Sequence, residues 1–147
     1  MSSTMTQANP WLNRLLRGEL SAVETYQQAA RSMNGSADAV QLRNMLQDHI
    51  EAVRSLRDHI LEHGGMPSDT SGVWGSWASL IEGTASLFGR NAALRALRAG
   101  EEHGVNEYER ALDDDELPFE CKELIRNSLL PLTQAHCGIL DGMMMSA

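Results

Sequence analysis

The chain has 147 residues, 42% of them hydrophobic, which is enough for one domain with a buried core and too apolar for a disordered segment. Its formal net charge of −8 argues against a nucleic-acid backbone or an anionic membrane surface as partner. No apolar run approaches the length of a membrane span, and Met1–Asn9 lacks the apolar centre of a secretion signal.

Cys121 and Cys137 form no CxxC or metal-finger spacing, so the expectation is two reduced thiols in a cytoplasmic protein. Aromatic residues are only 5%, Ala, Leu, Glu and Arg dominate, and no stretch alternates with period two for long. The predicted class is all-α.

Met1–Asn9 is read as a frayed, flexible leader. Pro10 suits a first helical turn, and the first predicted helix runs from Pro10 to Met33. Leu12, Leu15, Leu16, Glu19, Ala22, Val23 and Tyr26 share one face of it. Asn34-Gly35 stops this helix and Ser36 caps the next, so the first two helices are antiparallel neighbours.

The second predicted helix spans Ser36–His63, with Leu42, Met45, Leu46, His49, Ala52, Val53, Leu56 and Ile60 on its apolar stripe. Gly64-Gly65 and Pro67 end it. Residues 65–89 are Gly-, Ser- and Thr-rich with Trp74 and Trp77 among them. A connection of this length is explained if it crosses the bundle so that the third helix runs parallel to the second. Trp74 and Trp77 are expected to cover the core, or to offer this crossover to a protein partner or another subunit.

The third predicted helix, Arg90–Asp113, repeats the first at an offset of 82 residues: Leu12/Leu94, Leu15/Leu97, Gly18/Gly100, Glu19/Glu101, Val23/Val105, Tyr26/Tyr108 and Ala29/Ala111 are identical. A gapless offset of this kind suggests a duplicated unit. Gly18 and Gly100 each cost a helix interior about 1 kcal/mol relative to alanine, and close helix approach is the expected return. Asp113-Asp114-Asp115 lacks the glycine and glutamate of a calcium loop and reads as a solvated turn.

The fourth predicted helix starts at Pro118 and continues to Met143, with a local kink at Pro131 and a flexible tail to Ala147. Its stripe is Cys121, Ile125, Ser128, Leu129, Leu132, His136, Ile139 and Leu140.

Four helices thus place one titratable residue each at mid-stripe: Glu19, His49, Glu101 and His136. A buried carboxylate must shift its pKa, find a partner or bind a cation. Two Glu and two His are a set that holds one zinc or iron ion. The bland counterpart is a pair of buried Glu–His contacts, with Tyr26 and Tyr108 as hydroxyl donors. Asp48, Glu24, Glu102 and Glu107 are expected to point away from the seam, and His59, His63 and His103 to carry less weight.

Leu12–Tyr26 resembles the first helix of bacterioferritins, where the glutamate matching Glu19 is a di-iron ligand. Over Pro10–Met143 the chain is more similar to an uncharacterised bacterial family, a domain of unknown function classed as ferritin-like. The features carrying that likeness are Gly-Glu in both helices, Gly64-Gly65-Met66-Pro67, the Gly-Trp crossover and Tyr108-Glu109-Arg110-Ala111-Leu112. The resemblance implies a ferritin-like four-helix bundle over residues 10–143 with one long crossover. It also implies Glu-x-x-His on two helices, yet Leu46 and Thr133 stand three residues before His49 and His136.

The expected function is therefore a ferritin-like bundle with a degenerate site for a single metal ion, linked to stress. The alternative is a metal-free interaction bundle that forms homo-oligomers, and a di-iron oxidase is the third reading.

Overall fold

The computed structural model describes residues 9–71 and 89–146. Most of the predicted leader, together with Trp74, Trp77 and most of the crossover, lies outside them. The described chain is all-α: α1 (Pro10–Ser32), α2 (Ala37–Glu62), α3 (Arg90–Leu112), α4 (Phe119–Leu124), a π-helical turn (Ile125–Leu129) and α5 (Leu130–Met145). The last three form one continuous fourth rod, so the architecture is a four-helix bundle.

Local chemistry sets these limits. Asn9 caps α1 through Oδ1, which accepts from Trp11 N at 2.8 Å, and Pro10 occupies the first turn, where its missing N–H is not needed. Gly35 takes φ 87° in the tight turn that reverses the chain into α2, and the Ser36 hydroxyl caps Ala39 N at 3.4 Å. At the other end of α2, Gly64 N–H bonds the Leu61 carbonyl at 3.2 Å and Gly65 N–H the Ile60 carbonyl at 2.9 Å. With Gly64 at φ 79°, this is a complete Schellman stop.

The ends of the rods give their directions. Arg90 at the start of α3 pairs with Asp38 at the start of α2, Nε to Oδ2 at 2.5 Å. Asn9 before α1 donates to Asp114 after α3 at 2.9 Å. Thus α2 and α3 run parallel, and α1 runs antiparallel to both.

The described start of the connection follows α1. Ser68 N bonds Asn13 Oδ1 at 2.8 Å, and the Ser71 hydroxyl reaches Glu24 at 3.0 Å. Those anchors are about 16 Å apart along the helix.

The core falls into two apolar blocks. One contains Leu12, Leu16, Leu56, Ile60, Tyr108, Leu117, Cys121 and Ile125. The other contains Tyr26, Ala29, Leu42, Met45, Leu94, Leu97 and Leu140. Each fully buried leucine contributes roughly 2 kcal/mol of transfer free energy. On every rod the residues between the two blocks include one of Glu19, His49, Glu101 and His136, so these form a polar layer across the middle.

The fourth rod departs from the expected simple kink. Pro131 has no N–H for the Asn127 carbonyl, and the preceding turn widens so that Leu130 N–H bonds Ile125 O. The wider turn moves the buried row to Ile125, Leu129, Thr133, His136 and Leu140. Ser128, expected on the stripe, is exposed. The helix also continues to Met145, past the predicted end at Met143.

Candidate metal centre

All four mid-stripe residues are buried, with exposures of 7% for Glu19, 4% for His49, 4% for Glu101 and 1% for His136. The His49 ring stands between the two glutamates. Its Nδ1 lies 2.6 Å from Glu19 Oε1 and its Nε2 lies 2.8 Å from Glu101 Oε2. The same Glu101 Oε2 faces His136 Nδ1 at 3.2 Å. It also accepts from the Tyr26 hydroxyl.

His49, Glu101 and His136 each bring a ligand atom within 4.8 Å of the others'. Glu19 stays on the far side of the His49 ring, where it accepts from the Tyr108 hydroxyl at 2.5 Å.

The tyrosine bonds are reciprocal. Tyr26, seven residues after Glu19 on α1, donates to Glu101 on α3. Tyr108, seven residues after Glu101, donates to Glu19. The antiparallel crossing of α1 and α3 makes this exchange possible. The expected tyrosine donors are therefore present, each serving the other helix's carboxylate.

Asp48 corrects the sequence reading. Although it is one position off the α2 stripe, its Oδ2 lies 2.9 Å from His136 Nε2. It reaches round because the fourth rod packs on that side of α2, and its side chain remains 41% exposed. Glu107 is also buried, but on an ion pair with Arg14, Nε to Oε1 at 2.5 Å and Nη2 to Oε2 at 3.0 Å.

Charge in this layer is set by those contacts. Burial works against a charged His49 ring. The charges of Glu19 and Glu101 and their hydrogen bonds outweigh it and raise the pKa to about 10. Burial likewise opposes an ionised Glu101, but the His49 charge and the bonds from His136 and His49 hold it at about 2. The His136 pKa is raised against its burial, chiefly by the bond and charge of Glu101. Burial, followed by the neighbouring carboxylates, pushes both tyrosine hydroxyls well above their usual range.

A cavity of about 310 Å³ lies against the layer between α1 and α3, lined by Gly18, Ser21, Gly100 and Gly104 as well as by Glu19, His49 and Glu101. Exposed Ala99 and His103 also line it, so it reaches the surface. This overturns the expected role of Gly18. A Cβ there would meet nothing within 4 Å, so the glycine leaves space open instead of bringing helices together. Thr133 borders the same cavity, and its hydroxyl is turned back onto Leu129 O at 2.7 Å.

Sequence reasoning missed a second cluster. His59 at the end of α2, His63 just beyond it and Cys121 in α4 also bring one ligand atom each within 4.8 Å. The signal on α2 was the i, i+4 histidine pair. Cys121 arrives from a rod 62 residues away, with Sγ 3.5 Å from His59 Nδ1. Burial, with the charges of Glu120 and Glu62, pushes its thiol up to about 11.

The protein is thus a helical bundle that carries, among the described residues, two separate side-chain clusters that could chelate a metal ion, one of His and Glu and one of His and Cys. Among the described residues no helix is long and apolar enough to cross a membrane.

The chain belongs to the family described as Domain of unknown function (DUF2383), which matches residues 7–114. The match takes in Glu19, His49 and Glu101, whereas Cys121 and His136 lie beyond its end. No curated protein and no solved structure matches the chain.

Proposed function

We propose that this DUF2383 protein is a ferritin-like bundle whose polar layer binds one divalent metal ion, zinc or iron, through His49, Glu101 and His136. Glu19 holds the His49 ring through Nδ1, and it would become a fourth ligand only by moving over the ion. The observation carrying this reading is the convergence of His49 Nε2 and His136 Nδ1 on Glu101 Oε2, with His49 and Glu101 lining a cavity that reaches the surface. Two imidazoles and carboxylates suit zinc or ferrous iron. Such an ion would supply Lewis acidity there, while the chain's own part is to hold its ligands in a buried, low-dielectric layer. The set does not suit a metal pair, because Leu46 and Thr133 occupy the positions of bridging glutamates.

The parallel run of α2 and α3, with the intervening chain starting along α1, supports the ferritin-like topology with a long crossover. The reciprocal Tyr–Glu exchange supports an origin by duplication.

A second reading has its own observation. Among the described residues no buried side-chain N or O atom lacks a hydrogen-bond partner. The layer is then a self-sufficient polar network that specifies how the two hairpins pack.

Elemental analysis of tag-free protein, after loading with Fe(II) or Zn(II) and desalting, separates the two. The metal reading expects bound metal that falls by one equivalent in Glu101→Gln and in His49→Gln, with the helical circular-dichroism spectrum retained. Equal metal content in wild type and both variants would refute it.

A further inference from the structure

The His59, His63 and Cys121 cluster lies away from the polar layer, at the end of the bundle where α2 stops and α4 begins. It is built on two rigid supports. His63 is the residue that terminates α2, and the Schellman bonds of Gly64 and Gly65 fix its backbone. His59, four residues earlier, lies one turn back on the same face, with ring centroids 6.4 Å apart and planes 26° from parallel. Cys121 is anchored in the first turn of α4 by its N–H to Pro118 O at 3.0 Å and packs into the apolar core at 1% exposure. Both histidines are half-buried, so the cluster is reachable from solvent.

We propose that His59, His63 and Cys121 form a zinc site that clips the end of α2 to the start of α4. Two imidazoles and one sulfur are a borderline-soft donor set, which selects zinc over hard cations. Around a tetrahedral zinc, bonds of about 2.0–2.3 Å place N and S donors about 3.5 Å apart. The Cys121 Sγ to His59 Nδ1 distance is 3.5 Å. His63 Nε2 is 3.6 Å from Oε1 of Glu120, an exposed carboxylate that completes the fourth position in competition with water. Zinc binding would replace the Cys121 thiol proton, which passes to solvent.

Charge favours a cation here as well. The site lies at the C-terminal end of α2, the partially negative end of the helix dipole, and Glu62 and Glu120 lie close to the cysteine. The clip would join residues 62 positions apart, so it would stabilise the folded state in proportion to zinc binding.

Cobalt(II) titration of reduced, tag-free, full-length protein tests this. One equivalent should produce a thiolate-to-cobalt charge-transfer band with tetrahedral d–d bands, and zinc should abolish both. Cys121→Ser should remove the charge-transfer band. His63→Gln, at a half-exposed position that a folded chain tolerates, should weaken cobalt binding by at least about tenfold. Glu101→Gln should leave the thiolate charge-transfer band unchanged, because that band reports sulfur ligation and not metal in the polar layer. Absence of a thiolate band in wild type would overturn the proposal. So would a band that survives Cys121→Ser and disappears in Cys137→Ser.

Discussion

Replacing Glu101 by glutamine tests the polar layer most directly, because the shape is kept and only the charge is lost. Glu101 Oε2 is the point on which His49, His136 and Tyr26 converge. Removing one partner of a buried ion pair costs about 3–5 kcal/mol where the other charge is left uncompensated, and the lower end is expected here because Glu19 and Asp48 remain beside the two rings. Glu107→Gln is the matched control. It too is a buried carboxylate, but its partner Arg14 is 45% exposed and keeps its hydration, so the expected loss is about 1 kcal/mol.

Urea unfolding followed by circular dichroism, at pH 6 with chelator present, measures both. The pH dependence supplies a second readout. His49 is raised from 6.5 to about 10, so its contribution is complete below pH 6.5 and is lost as the pH rises toward 10. Glu101 is lowered from 4.5 to about 2, so its contribution is complete above pH 4.5 and is lost as the pH falls toward 2.

The wild type should therefore be most stable between about pH 4.5 and 6.5. Its alkaline decline is roughly 5 kcal/mol at most. The two limbs share one contact, so they are not additive. Glu101→Gln should flatten the acid limb and move the alkaline limb to lower pH, with Glu19 still beside His49. A loss within 1 kcal/mol of the Glu107→Gln control, or an unchanged acid limb, would refute the argument.

Tyr26→Phe and Tyr108→Phe should each cost about 1.5–3 kcal/mol, the range for a hydrogen bond to a charged group, and a double-mutant cycle should show coupling through His49. Costs that add within error would contradict a single connected layer. Gly18→Ala should stabilise the protein by about 0.5–1 kcal/mol in thermal or urea unfolding, because the new methyl meets nothing within 4 Å and alanine is the better helix former. A destabilised variant would contradict the open space seen there. Leu56→Ala, at a residue with 0% exposure, should cost about 2–5 kcal/mol by the same assay.

The legibility of this fold followed its periodicity. The all-α class, the four rods and the inward position of Glu19, His49, Glu101 and His136 could be read because a 3.6-residue period sorts each helix into faces. What could not be read depended on neighbours. Asp48 is off the stripe of its own helix, yet an adjacent rod brings His136 to it. Glu107 is buried in ion pairs with Arg14 from another helix and Arg110 from its own. Cys121 meets His59 and His63 through packing, and no linear spacing encodes that meeting. Pro131 announced a disturbed helix. That the missing bond would be absorbed as a wide turn, exchanging Ser128 for Thr133 on the buried face, depended on how the rod packs.

The arrangement of protons in the layer is itself an argument about metal. Both nitrogens of His49 and both of His136 face carboxylate oxygens at 2.6–3.2 Å. A carboxylate only accepts, so each ring must donate from both nitrogens and carry a positive charge when no metal is bound. Two imidazolium charges then stand among the carboxylates of Glu19, Glu101 and Asp48. A divalent ion bound to His49 and His136 needs each ring neutral at its ligating nitrogen, which releases two protons and brings in two charges. The exchange leaves the net charge of the layer unchanged, so the same side chains form a closed hydrogen-bond network without metal and a coordination sphere with it. Proton release during zinc titration of lightly buffered Cys121→Ser protein should therefore approach two per ion. A value near zero would place the bound ion outside this layer.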